Sequence, residues 1–159
     1  MPSKSKALVV NGWNLFVHPL FLSQFEDLLR QVEQLAQKNP GKYQRKNATK
    51  RLAAVVKLAF EKIPRDPTLN EYRLGASLGD EHRHWFRAKF FQQYRLFFRF
   101  HVESKIIVYA WINDETTKRA YESKTDAYLT FKKMLKRGRP PSDWEALVKE
   151  AVAWKKRLT

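Results

Sequence analysis

The stretch His84–Ile112, HWFRAKFFQQYRLFFRFHVESKIIVYAWI, decides the fold. Three apolar-rich runs, 84–91, 94–102 and 105–112, are separated by short polar breaks, which predicts a β-meander. Val102-Glu103-Ser104-Lys105 suits a tight turn between the second run and the third. Side chains alternate faces along a strand. In the first run Phe86, Ala88 and Phe90 share one face, and Trp85, Arg87, Lys89 and Phe91 share the other. In the second, Tyr94, Leu96, Phe98 and Phe100 oppose Arg95, Phe97, Arg99 and His101. A hairpin closed near Gln92-Gln93-Tyr94 pairs Phe91 with Arg95, Lys89 with Phe97 and Arg87 with Arg99. That keeps the apolar sets together and the cationic sets together. A slip by one residue would bury charge, so the pattern itself selects the register. The third run is apolar on both faces and belongs in the middle of the sheet.

One face of this sheet is therefore oily and suited to packing on helices. The other presents Arg87, Lys89, Arg95 and Arg99, interleaved with Trp85, Phe91 and Phe97. Cations hold phosphates, and aromatic rings offer stacking platforms for unpaired bases. In an antiparallel meander the start of the second strand lies beside the end of the third. Arg95 is thus expected near Ile112 and the exit segment Asn113-Asp114-Glu115, with Lys89 and Phe91 on its other side. Lys118-Arg119-Ala120-Tyr121 follows directly, so several cations and one phenol are expected at one edge of the sheet.

Upstream, Asn11-Gly12 is a turn signal and Trp13–Val17 a short strand. Ser23-Gln24-Phe25-Glu26 reads as a capping box, opening a helix with Phe25, Leu28, Leu29, Val32, Leu35 and Ala36 at helical spacing. Asn39-Pro40-Gly41 breaks it. A second helix from about Tyr43 to Ile63 carries the stripe Ala48, Leu52, Val55, Val56, Ala59, Phe60 and Ile63, and Pro64 ends it. The short break favours an antiparallel helix pair. Residues 64–82 read as a loop. Downstream, Thr125–Arg137 is a helix with Tyr128, Phe131, Met134 and Leu135 on one side. Ser142-Asp143-Trp144-Glu145 opens a last helix holding Leu147, Ala151, Val152, Trp154 and Leu158. The 159 residues read as one α+β domain: a helix pair at about 23–63, the meander at about 84–112 and C-terminal helices at about 115–158.

Lys and Arg total 31 against 16 Asp and Glu, a formal charge of +15, which makes an anionic partner the expectation, nucleic acid foremost. Hydrophobic residues at 43% and aromatics at 14% are enough for a core and exclude bulk disorder. The absence of cysteine excludes disulfides and thiolate metal sites. No stretch approaches the ~18 apolar residues of a membrane span. The apolar run Ala7–Val10 is too short for a signal-peptide core, so the expectation is a soluble, cytoplasmic protein without a membrane partner. None of His18, His82, His84 and His101 has zinc-ligand spacing supported by a third ligand. Asp114-Glu115 reads as charge favoured at a helix N-terminus rather than a Mg²⁺ site. Tyr128 either belongs to the core or lines the site.

Several blocks together are similar to one group of proteins. They are Asn11-Gly12-Trp13, Tyr43-Gln44-Arg45-Lys46 with Ala48-Thr49-Lys50, and Tyr94-Arg95-Leu96-Phe97-Phe98-Arg99. With them go Trp111-Ile112-Asn113-Asp114-Glu115, Lys124-Thr125-Asp126-Ala127-Tyr128, Lys133–Gly138 and Pro140-Pro141-Ser142-Asp143-Trp144. Their ordered set, over about residues 11–148, resembles the YhaV family of bacterial type II toxins, within the wider RelE-like toxins. The resemblance implies a RelE-like α+β fold: an N-terminal helix pair packed on a small antiparallel sheet, with C-terminal helices. It also implies an endoribonuclease that cleaves messenger RNA, in many relatives on the ribosome, and so inhibits translation and growth. The partners it implies are a PrlF-type antitoxin and, for the toxin–antitoxin complex, operator DNA.

RelE-like enzymes use no metal or other cofactor: the RNA 2′-hydroxyl attacks phosphorus and the 5′-oxygen leaves. This needs a base, an acid and positive charge around the phosphate. By that resemblance Arg87 and Lys89 match the basic pair on the first strand, Arg95 the phosphate clamp and Tyr121 the tyrosine after the last strand. Lys89 or Tyr121 is the base, with Arg87 and Arg119 as electrostatic support. Arg99, Phe97, Trp85, Lys118 and Lys124 are the expected RNA contacts. The chain departs from RelE where a further arginine follows the last strand: here stands Asn113-Asp114-Glu115, and Lys118 or Arg119 is the substitute. Two rival readings are a non-catalytic basic RNA- or DNA-binding regulator and a toxin of this fold acting on another target, such as gyrase.

Overall fold

The computed structural model describes residues 7–75, 77–113 and 126–155. The meander is present as β3 (Phe86–Phe90), β4 (Tyr94–His101) and β5 (Ile106–Ile112). Before it come β1 (Leu8–Val10), β2 (Trp13–Val17), α1 (Pro19–Lys38) and α2 (Asn47–Lys57). Helix α2 runs on through a π-helical turn, Leu58–Lys62, into a last short turn, Ile63–Arg65. After the meander come α3 (Asp126–Lys136), α4 (Trp144–Glu150) and β6 (Val152–Ala153).

The six strands form one sheet in the order β1-β2-β5-β4-β3, with β6 also paired to β2. It is α+β, but the sheet is mixed where an antiparallel one was expected: β2 runs parallel to β5, with Asn14 beside Ile106 and Val17 beside Tyr109. Asn11 (φ 50°) and Gly12 (φ 83°) are both left-handed, the geometry of a two-residue turn that matches strand twist. That turn pairs β1 with β2 antiparallel; β2 in turn lies along one edge of β5, and the His18 amide extends the ladder to the Tyr109 carbonyl at 2.9 Å. Strand β5 is thus central, as its two apolar faces require.

The β3–β4 register differs from the expected one by two residues. Lys89 faces Arg95, Arg87 faces Phe97 and Phe90 faces Tyr94. The hairpin closes over Phe91-Gln92-Gln93, with Phe91 (φ 49°) and Gln92 (φ 60°) left-handed. A two-residue offset leaves every side chain on its own face, so alternation is blind to it. A bulge lies between β4 and β5, where Phe97 faces Trp111 but Phe98 faces Tyr109. It turns Ala110 and Trp111 toward the same face.

Both faces of the sheet are covered. On one, Leu15, Val17, Ala88, Leu96, Phe98 and Ile107 pack under Phe21, Phe25 and Leu28 of α1 and Val55, Leu58, Ala59 and Ile63 of the second helix. On the other, Phe16, Trp85, Phe97, Val108 and Trp111 pack under Phe131 and Leu135 of α3 and Leu147 of α4. The open basic face was expected where this second core lies, and the correction bears on the site.

Two helix boundaries also move. Helix α1 begins at Pro19, four residues before the Ser23 box. His18 caps it: its Nδ1 accepts from the Leu20 amide at 3.2 Å, and its Nε2–H donates to Glu150 at 2.8 Å. Proline at the first helical position loses no hydrogen bond. At the other end, Asp143 rather than Ser142 caps α4, accepting from the Ala146 amide at 3.0 Å. The helix stops at Glu150, and Val152–Ala153 leaves it for the sheet. Trp154 then inserts between Phe21, Phe25, Phe60 and Tyr109, fully buried, so it is a plug of the core rather than a helical residue. No described helix is long and apolar enough to cross a membrane.

Candidate active site

The face of β3 and β4 turned toward α3 carries Arg87, Lys89 and Arg95, with Lys89 directly across from Arg95. Like charges set opposite one another repel, and here Lys89 is exposed to solvent while Arg95 is bonded to carbonyl oxygens. Arg87 and Arg95 both meet Tyr128, on the first turn of α3. Its hydroxyl oxygen accepts from Arg87 Nε at 3.0 Å and from Arg95 Nε at 3.0 Å. Phe97 packs edge-on against its ring at a centroid distance of 5.8 Å. The phenol was open to two readings in sequence, core or site; the structure sets its ring on the core and its oxygen between two guanidiniums.

Two influences act on that oxygen. Burial raises the pKa of a phenol. The hydrogen bonds and positive charge of Arg87 and Arg95 lower it and win, so Tyr128 lies below the ordinary tyrosine value. Both lone pairs are occupied by N–H donors, which leaves the O–H proton for a further partner.

Arg95 is held from several sides. Its Nη1 donates to the carbonyls of Gln92 at 2.6 Å and Tyr94 at 3.1 Å, and only 5% of the residue is exposed. Its backbone amide donates to Asn113 Oδ1 at 2.6 Å, and Asn113 Nδ2 donates to the Gln93 carbonyl at 2.8 Å. The expected proximity of Arg95 to the exit of β5 is thus met through a buried asparagine. Arg87 is half-buried and bridges outward: Nη1 donates to the carbonyls of Glu71 at 2.9 Å and Arg73 at 3.1 Å. Lys89 is exposed.

Arg99, Trp85 and Phe97 were expected as RNA contacts. The structure places all three in the interior. Trp85 and Phe97 are fully buried against Phe131, at 5.0 and 4.2 Å, so their faces are spent on the α3 contact and closed to bases. Of the three rings expected as platforms, Phe91 alone is open, 50% exposed. Arg99 is sandwiched between Trp85 at 5.6 Å and Trp144 at 5.3 Å, and its Nη1 donates to the Ser142 carbonyl. Burial lowers its pKa to about 10.

Ser142 gathers a second polar group. His84 Nε2 reaches its carbonyl at 3.2 Å and its Oγ at 3.1 Å, Trp85 Nε1 donates to Oγ at 3.2 Å, and His82 Nδ1 lies 3.1 Å from Oγ. A carbonyl only accepts, so His84 Nε2 carries a proton. The hydroxyl accepts from Trp85 and lies within hydrogen-bond reach of both imidazoles. This network ties the start of α4 to the segment leading into β3. Among the described residues no three His, Asp or Glu side chains are grouped to hold a metal ion. Tyr121, Arg119, Lys118 and Lys124, expected at the site, lie outside the described residues.

The chain is thus a strongly basic α+β protein whose polar chemistry is concentrated in arginine, lysine and tyrosine. The family profile that matches residues 15–152 describes a toxin with endonuclease activity, of toxin–antitoxin systems. The chain belongs to this family, the YhaV toxins. It is 50% identical over 143 residues to the ribonuclease toxin YhaV of Escherichia coli strain K12, which covers 89% of this chain and 93% of the relative. The same identity and coverage relate it to toxin YhaV of Escherichia coli O157:H7. No solved structure matches it.

Proposed function

We propose that this chain is a metal-independent endoribonuclease of the mRNA interferase type, which inhibits translation and growth and is held in check by a PrlF-type antitoxin that binds operator DNA with it. The observation that carries the reading is the Tyr128 hydroxyl, 3.0 Å from Nε of both Arg87 and Arg95. The attacking 2′-hydroxyl must lose a proton, the departing 5′-oxygen must gain one, and the phosphorane-like transition state gathers negative charge. A phenol of lowered pKa serves either proton transfer. Arg87 and the exposed Lys89 stand where the phosphate oxygens would be neutralised. Arg95, largely enclosed, acts through Tyr128: it fixes the oxygen and holds charge beside it, so it is a positioning residue more than a clamp. Family resemblance adds Tyr121 as a second phenol and Arg119, Lys118 and Lys124 as further cations on the RNA.

The test is cleavage of a fluorescent RNA in EDTA, with and without ribosomes. The expected products end in 2′,3′-cyclic phosphate, and Lys89→Ala slows their formation. Products ending in 3′-hydroxyl, or cutting abolished by EDTA, would refute the mechanism. Tight, salt-sensitive binding of RNA that stays intact would refute the activity and leave a binding protein.

A further inference from the structure

Beside the edge strand β3 lies an open cleft of about 410 Å³, lined by Leu58 and Lys62 of the π-helical turn, Glu71 and Arg73 of the loop, and Arg87 and Lys89 of the strand. Lys62, Arg73 and Lys89 are exposed. Among the described residues none of the three has a carboxylate within 4.0 Å, although Glu71 borders the same cleft. These three exposed cations around one concave wall, without a salt bridge among the described residues, make a positive site that favours an anionic occupant.

The cleft is also constructed rather than incidental. The wider turn at Leu58–Lys62 inserts an extra residue into the helix, a device that recurs at functional sites. It is pinned by the buried Tyr109 hydroxyl, which donates to the Ala59 carbonyl at 2.6 Å. The opposite wall is pinned by Arg87, whose Nη1 holds the carbonyls of Glu71 and Arg73. The same guanidinium reaches Tyr128 through Nε, so one side chain borders both the phenol and the cleft.

We infer that this cleft is a nucleotide subsite for the RNA strand next to the scissile phosphodiester, with Lys62 and Arg73 holding flanking phosphates. The inference rests on the ribonuclease reading and adds to it a substrate path: across the edge of β3, from Tyr128 past Arg87 to the π-helical turn. Arg87 is the hinge of that path, shared by the reacting group and its neighbour.

The experiment is fluorescence anisotropy of a labelled single-stranded 2′-O-methyl RNA, which cannot be cut, over about 50 to 200 mM salt. The Lys62→Ala/Arg73→Ala double variant is compared with wild type and with Lys38→Ala/Lys149→Ala, two exposed lysines away from the cleft. Loss of two phosphate contacts on a single strand lowers the log–log salt slope by about 1.4 and weakens binding about twentyfold near 0.1 M salt. The expected control change is smaller than half of that. Equal losses in both double variants would overturn the subsite while leaving cleavage untouched. Unchanged RNA affinity with lost binding of an acidic peptide would give the cleft to a protein partner and also overturn it. A wild type that binds with the expected slope difference but cuts no RNA would sustain the subsite and sink the nuclease. A wild type that binds no RNA sinks both.

Discussion

Replacing Tyr128 by phenylalanine removes one oxygen and keeps the ring that packs on Phe97. In the folded chain that oxygen accepts from two guanidiniums at 3.0 Å. Arg95 is only 5% exposed, so the hydrogen bond its Nε–H gives to the phenol is lost where little solvent reaches it. Hydrogen bonds to charged groups contribute about 1.5–3 kcal/mol each, and leaving one partner unsatisfied costs a similar amount. Arg87 is half-buried and recovers most of its loss by turning to solvent. The sum is a destabilisation of about 2–3 kcal/mol, dominated by Arg95, read as a lower urea midpoint with an unchanged slope. The effect on chemistry is separate. A group that transfers a proton in the transition state contributes about 10²- to 10⁴-fold, so single-turnover RNA cleavage, measured where both proteins are folded, should fall by that factor. A second readout follows from the lowered pKa. The folded phenol gives up its proton at a lower pH than the unfolded one, so between those two values the folded chain binds fewer protons and stability rises with pH. That gain is complete above the unfolded value of about 10 and absent below the folded one. Ultraviolet titration of the phenolate should show one tyrosine ionising early in the wild type and none in Tyr128→Phe, with Arg87→Ala moving it back upward. A Tyr128→Phe enzyme that cuts within about threefold of the wild-type rate would refute the proton-transfer role, whatever its stability.

Ser142→Ala strips the Trp85 indole N–H and His82 of their shared partner and should cost about 1–2 kcal/mol in urea unfolding; a change below about 0.3 would show that the network is idle. Burial pushes His82 and His84 below the ordinary imidazole value, with Glu81 opposing this at His82 and Arg99 adding to it at His84. The unfolded chain then binds more protons, so stability is full above about pH 6.5 and falls as pH drops toward the folded values. Urea midpoints should decline between about pH 7.5 and 5.5, and a His82→Gln/His84→Gln double variant should flatten that decline; a flat wild-type profile refutes it. Phe97→Ala empties a fully buried ring site and should cost about 3–5 kcal/mol. A variant that stays as stable as the wild type but loses RNA affinity would restore Phe97 to the stacking role expected from its place on the strand.

The fold was legible where local chemistry and tertiary demand agreed. Alternation in 84–112 places three strands to within a residue or two, and the doubly apolar 106–112 finds the sheet's centre. It fails at two-fold ambiguities. Period-two alternation cannot distinguish registers two residues apart, so the hairpin near Gln92–Gln93 was placed but its register, set by a Phe91–Gln93 loop with non-glycine residues left-handed, was not. Nor does a strand's basic face announce whether it is open. Arg99 and Trp85 alternate as a nucleic-acid platform would, yet α3 and α4 lie over them, and only the aromatic partner Phe131 carried a hint of that cover. A capping box at Ser23 satisfied every local rule, but burial of Phe21 required an earlier start, and His18 supplied the cap. At the candidate site Arg87, Lys89 and Arg95 came from the strand pattern, whereas Tyr128 stood three residues before Phe131 with the spacing of a core residue. Nothing in spacing tells which end of a phenol is buried.

Sheet closure joins residues translated far apart. The Leu8 amide donates to the Trp154 carbonyl, and the Trp154 amide to that of Leu15, each at 2.9 Å. Until Trp154 has been synthesised, the rings of Phe21, Phe25 and Tyr109 lack the plug between them, and the outer edge of β2 is only half paired. Completion of this core therefore waits for residues 152–154, whatever has formed before them. A fusion or deletion that displaces residues 152–154 strikes the centre of the molecule, not its periphery.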